Sequence, residues 1–95
     1  MKPLDPNEQR LEGQWLKVNA KVVADETSRR IEELISTELT KVAASEDGWD
    51  TLYIDNRDGR KWELTYPHKE WHGGGPPTLT CLTDTDVRAK YKKTE

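Results

Sequence analysis

Ninety-five residues are enough for one domain and no more, so residues 1–95 read as a single unit. Eighteen acidic against 15 basic side chains leave a formal charge of −3, which argues against nucleic acid as a direct ligand because phosphate binding wants clustered Lys and Arg. Leu, Ile, Val and Phe supply 17 residues, supplemented by four Trp and three Tyr, so the expectation is a folded domain with a thin core and a very polar surface.

The opening MKPLDPNEQR is polar, with Pro3 and Pro6, and reads as a loose arm or a loop that docks late. It has no apolar stretch of signal type, and no later run approaches the length of a membrane span. The expectation is therefore a soluble chain, most simply cytoplasmic, with no membrane partner. "LEGQWLKVNAKVVAD" offers two short apolar runs around Asn19-Ala20, a hairpin whose turn lacks the usual glycine. "DETSRRIEELISTELTKVAAS" carries the clearest helix signal: Asp25 as N-cap, Glu26 in the first turn, and Ile31, Leu34, Ile35, Leu39 and Val42 at helical spacing. Thr37 and Thr40 weaken its second half, leaving two readings open: a helix through residue 44, or a helix to about 37 and a strand over 39–44.

Turn signals then alternate with strand runs, SEDG before WDTLYID and NRDG before RKWELTYP. Trp49, Thr51 and Tyr53 share one face of the first strand, and Leu52 and Ile54 the other. Trp62, Leu64 and Tyr66 share a face of the second. The loop Pro67–Pro77 leads into TLTCLTD, and TDTDVRAKYKK reads as a short helix capped by Thr83 or Asp84, with the basic cluster Arg88, Lys90, Lys92 and Lys93 suiting its C-terminal end. The order predicts an α+β fold: a small antiparallel meander, one main helix packed on a face, and a short C-terminal helix. Trp15, Ile31, Leu34, Ile35, Leu52 or Tyr53, Trp62, Leu64 and Leu79 are the expected core.

The candidate chemistry is sparse. HGGG occurs in the oxyanion holes of lipases and esterases, but no G-x-S-x-G accompanies it and the chain is too short for that fold. His68 and His72 have the i, i+4 spacing of zinc ligands, yet Pro67 and Gly73, Gly74 and Gly75 disfavour a helix there, so two loop histidines that bind nothing are expected. Cys81 lies mid-strand and reads as a small core residue; a hydrolase using Cys81 with His72 is the competing enzymatic reading. Asp47, Asp50, Asp55, Asp58, Glu63 and Glu70 are dense between the strands, but turn chemistry accounts for DNRDG without an ion. Neither a metal nor a cofactor is expected. GGGPP has a mechanical reading: glycines that permit the bend, and Pro76 and Pro77 that restrict the exit.

Gly13-x-Trp15, RIEELI at 30–35, GWDTLY at 48–53, DGRKWELTYP at 58–67, HGGGPPTL at 72–79 and Lys90-Tyr91 together resemble a family of bacterial immunity proteins encoded beside polymorphic toxins, the one numbered twenty-seven in that series. The likeness covers most of residues 11–91. It departs at Asn19-Ala20, where a glycine turn is expected, and at Trp71, where a smaller residue is. The resemblance implies a non-enzymatic protein that binds and neutralises a cognate secreted toxin domain, a nuclease being one candidate. A regulatory protein-binding module is a further alternative. On that reading Trp71 is an interface anchor, the open alternative being that it folds back as a lid on the thin core. Glu70, Asp47, Asp55 and Asp58 form an acidic rim that steers a basic partner, His72 is a further partner-binding candidate, and Gly73, Gly74, Gly75, Pro76 and Pro77 shape the loop.

Overall fold

A computed structural model describes residues 4–71 and 75–91 of the chain. Its elements in order are β1 (Arg10–Glu12), β2 (Trp15–Val18), β3 (Lys21–Ala24), α1 (Glu26–Thr37), β4 (Leu39–Ala44), β5 (Thr51–Asp55), β6 (Lys61–Thr65), β7 (Thr78–Leu82) and α2 (Asp84–Lys90). Five strands form one antiparallel sheet in the order β1-β7-β6-β5-β4, and β2 and β3 form a separate two-stranded ribbon. The α+β meander expected from the sequence is the fold observed, with β1 added at its edge beside β7.

Period-two alternation decides which side chains meet. In β6, Trp62 and Leu64 point to one face and Glu63 to the other. Register places Trp62 beside Tyr53 and Cys81, and Leu64 beside Leu79. Over that face lies α1, whose Ile31 and Leu34 are fully buried with Trp62 and Leu79; Leu11, Leu39, Leu64 and Leu4 complete the cluster. The opposite face carries a smaller cluster, Leu52 with Val87 and Tyr91 of the C-terminal segment. There the hydroxyl of Tyr91 donates to Glu63 Oε2 at 2.6 Å. Lys90 Nζ lies 2.7 Å from the same oxygen and 2.6 Å from Asp50 Oδ2. Burial, the bond to Glu63 and the carboxylate charges all raise the pKa of Tyr91 above its ordinary value.

The helix begins where its cap dictates: Asp25 Oδ1 accepts from Ser28 N at 2.7 Å. Its end settles the open question of residues 39–44 in favour of a strand. Thr37 and Ser36 turn their hydroxyls back onto the Glu33 and Glu32 carbonyls at 2.7 Å, and the chain leaves the helix at Glu38. Leu39 therefore reaches the core from β4, and Val42, expected on the helical stripe, is exposed beside a register shift between Lys41 and Ala43.

Residues 4–10 pack against the domain. Leu4 is buried in the main core, and Arg60 donates to the backbone carbonyls of Glu8 at 2.7 Å and Asp5 at 3.1 Å. The same guanidinium lies 4.9 Å from the centre of the Trp62 ring, and Arg30 clasps the Glu8 carboxylate through two bonds of 2.8 and 2.7 Å. The hairpin expected around Asn19-Ala20 is present, with both residues at positive φ, 51° and 66°. That is the geometry of a type I′ turn, built here without glycine. Trp15, expected in the core, is only partly buried and lines a surface cleft instead.

Candidate functional site

Antiparallel order sends the ends of the strands to opposite poles of the sheet. The 45–50 loop, the 66–77 loop and the Gly13–Trp15 segment all leave from the same pole, the one where β4, β6 and β1 end and β5 and β7 begin. Three of the four tryptophans, Trp15, Trp49 and Trp71, are thereby gathered at one end of the molecule, while Trp62 stays in the core.

Two tight features hold the 66–77 loop. Gly75 has φ +76°, and a Cβ there would lie 2.5 Å from the His68 carbonyl oxygen, so the loop closes on itself only with glycine at this position. Its exit is fixed by Gly13 N donating to the Pro77 carbonyl at 2.8 Å. Gly13 is in turn pressed between Ser28 and Pro77, where an added Cβ would come within 2.3 Å of Ser28 Oγ. The glycine of G-x-W and the end of HGGGPP are thus one packing feature. Gly75, Pro76 and Pro77 form the exit of this loop; His72, Gly73 and Gly74 lie outside the described residues.

The result is an aromatic surface. His68 stacks on Trp71 with ring centres 4.1 Å apart and planes 10° from parallel, and Trp71 meets Trp15 at 5.8 Å. Trp71 nonetheless remains 44% exposed. At the same pole, Trp49 is 40% exposed and packs edge-on to Tyr66 at 5.9 Å. Asp47 pins Trp49: its Oδ1 accepts from Trp49 N at 2.9 Å and from Ser45 Oγ at 2.6 Å. These bonds, Ser45 first, lower the Asp47 pKa. Lys69 Nζ, 3.7 Å from Asp47, ties the two loops together, and Glu70 lies 3.8 Å from His68 Nδ1 on the exposed rim. Trp15, His68 and Trp71, with Glu12, Gln14 and Pro76, line a cleft of about 290 Å³.

The expected acidic rim is divided. Asp47 and Glu70 accompany Trp71, but Asp55 and Asp58 belong to the β5–β6 turn at the opposite pole, a strand of five residues away, about 17 Å. Asp55 is also buried, 2% exposed; its Oδ1 accepts from Arg57 N at 2.9 Å and shapes the turn. Asp58 is held by Arg60, whose Nε lies 2.7 Å from Asp58 Oδ2. Neither can stand in a rim around Trp71.

Cys81 sits on the core face beside Trp62, near the pole away from the aromatic cleft, and is partly buried. No group of three or more His, Cys, Asp or Glu side chains among the described residues could hold a metal ion. No described helix is long and apolar enough to cross a membrane.

One feature had no advance signal. The β2–β3 ribbon projects from the start of α1 with Leu16, Val18, Val22 and Val23 between 40% and 61% exposed. Leu16 and Val23 are cross-strand partners on one face, with Val18 beside them. Read in sequence, these residues were an ordinary apolar hairpin; only the separation of the ribbon from the sheet leaves them uncovered.

Compared with known proteins, the chain matches the family described as Immunity protein 27 over residues 17–83. No curated protein and no solved structure matches it. The family match spans the hairpin from Lys17 on, α1 and β4 to β7, together with the loop that carries Trp71; Gly13–Leu16 and Lys90–Tyr91 fall outside it.

Proposed function

The chain belongs to the Immunity protein 27 family, and from that premise we propose that it neutralises a cognate secreted toxin domain by binding it, in the cytoplasm of the producing cell or its siblings. The partner surface is the aromatic pole: Trp71, Trp49 and Trp15, with Glu70 and Asp47 beside them, extended by the β2–β3 ribbon that begins at Trp15. The observation that carries this reading is the exposure of Trp71 and Trp49 on loops fixed from beneath by Gly75, Gly13 and Asp47. Anchors of this kind, rigid before the partner arrives, lose little entropy on binding and dominate interface energetics.

The role is that of an inhibitor and not of a catalyst. A stable interface of standard size takes about 800 Å² from each partner. The pole offers three indole side chains for it, and one face of the ribbon three aliphatic ones, Leu16, Val18 and Val23. The net charge of −3 favours approach to a basic partner, such as a nuclease cleft.

The test is co-expression with the C-terminal domain of the toxin-like open reading frame next to its gene, scored by survival and co-purification. The expected outcome is rescue with a stable complex. Rescue without any complex, or a complex that does not protect, contradicts neutralisation by binding.

A further inference from the structure

Resting on that reading, the geometry points to a specific occupant for the cleft at the aromatic pole: we propose that it receives an arginine side chain of the partner. The cleft, about 290 Å³, is at the bottom of the size range of small-molecule sites, roughly 300–1,000 Å³. It suits one inserted side chain better than a free metabolite. Its described lining includes Trp15, Trp71 and His68, with Glu12 and Gln14 among the polar residues; no lysine or arginine is among the described residues that line it.

Indole faces attract cations, and a planar guanidinium stacks on them while its N–H fork reaches a carboxylate. A leucine or phenylalanine in the same place could pack on the indoles but would offer Glu12 no donor. The cation that Glu12 holds now, Arg10 at 3.1 Å, is a surface partner, both side chains being 55% exposed. Such a pair is weak, so an incoming guanidinium displaces it at little cost. Trp71 is fixed for this by its stack on His68 and by Gly75 beneath His68, so the stacking surface exists before the partner binds.

Two measurements test this and separate it from the proposed function. In the free protein, indole N–H resonances are followed by two-dimensional NMR during titration with N-acetyl-arginine amide, N-acetyl-lysine amide and N-acetyl-leucine amide at matched ionic strength. The expected result is a saturable shift of Trp15 and Trp71 by the arginine amide, with affinity on the order of millimolar, while Trp62 stays still. Glu12→Gln and Trp71→Ala should weaken it. Equal response to the lysine or leucine amide, or no saturable response, overturns the assignment.

In the toxin complex, Trp71→Ala should weaken binding by about thirtyfold or more and Glu12→Gln by about three- to tenfold. If the toxin binds tightly and both variants bind as the wild type does, the cleft is not an arginine site although the inhibitor reading stands. If no toxin binds while the arginine amide still shifts Trp15 and Trp71, the cleft stands and the inhibitor reading falls.

Discussion

Gly75→Ala tests how the site is built. Gly75 has φ +76°, and Gly59, in the β5–β6 turn, has φ +78°, so alanine meets the same left-handed penalty at both, about 1–2 kcal/mol. Stiffening of the unfolded chain returns about 0.4–1 kcal/mol in each case. The two sites differ in what surrounds them. A Cβ at Gly59 meets nothing within 4 Å, whereas at Gly75 it lies 2.5 Å from the His68 carbonyl oxygen and 3.0 Å from its carbon. Those are backbone atoms, so relief requires the loop to move, at about 1–3 kcal/mol. Gly59→Ala should therefore cost about 0.5–1.5 kcal/mol and Gly75→Ala about 2–4 kcal/mol, measured from urea midpoints at constant m-value. A domain of this size has about 5–14 kcal/mol of stability, so both variants stay folded and Gly75→Ala can also be assayed for toxin binding, which it should weaken. Equal losses for the two would show that the 66–77 loop does not depend on the packing of Gly75 against His68.

Trp62→Ala should cost about 3–5 kcal/mol, because Trp62 is fully buried. Trp62→Phe should cost less than about 2 kcal/mol, since the Trp62 indole N–H finds no acceptor among the described residues and its removal offsets part of the lost packing; thermal or urea denaturation separates the two. Tyr91→Phe removes the bond to Glu63 and should lower stability by about 1–2 kcal/mol without changing toxin affinity. Asp25→Ala should cost about 1 kcal/mol through the lost cap. Burial opposes ionisation of Asp25, but the bonds from Ser28 outweigh it and lower its pKa below 3.8; its contribution is complete above that unfolded value and fades as pH falls through the lower folded one, which acid titration of the wild type against the alanine variant checks. Asp58→Lys, at the pole away from Trp71, should leave the association rate with toxin nearly unchanged, whereas Glu70→Lys should slow it and flatten its salt dependence in stopped-flow measurements.

Local chemistry made much of the fold readable. Asp25 and Thr83 are caps whose bonds are to residues three positions on, and the alternation that separates Trp62 and Leu64 from Glu63 needs only the pleat. Long-range contacts were not readable. Arg60 reaches the carbonyls of Asp5 and Glu8, and Tyr91 reaches Glu63, pairings that no local period announces. β1 was not legible, Arg10 falling in the polar opening and Leu11 and Glu12 in the hairpin stretch, because a three-residue strand with one buried side chain, Leu11, carries no periodic signal. At the site, Trp71 and the bend at Gly75 were legible from composition. The acidic rim was not, since Asp47 and Asp55 look alike in sequence and differ only in which pole their turn occupies. Trp15 was expected inside because tryptophan usually is, and the cleft it lines exists only once Gly13 is pressed against Pro77.

The central claim is most directly tested by measuring toxin affinity and melting temperature together for Trp71→Ala. Binding should weaken by about 2 kcal/mol or more, at least thirtyfold, with the melting temperature lowered by less than about 5 °C. A melting temperature lowered well beyond that, with the affinity of the folded fraction unchanged, would place Trp71 in the core and contradict the interface assigned to this pole.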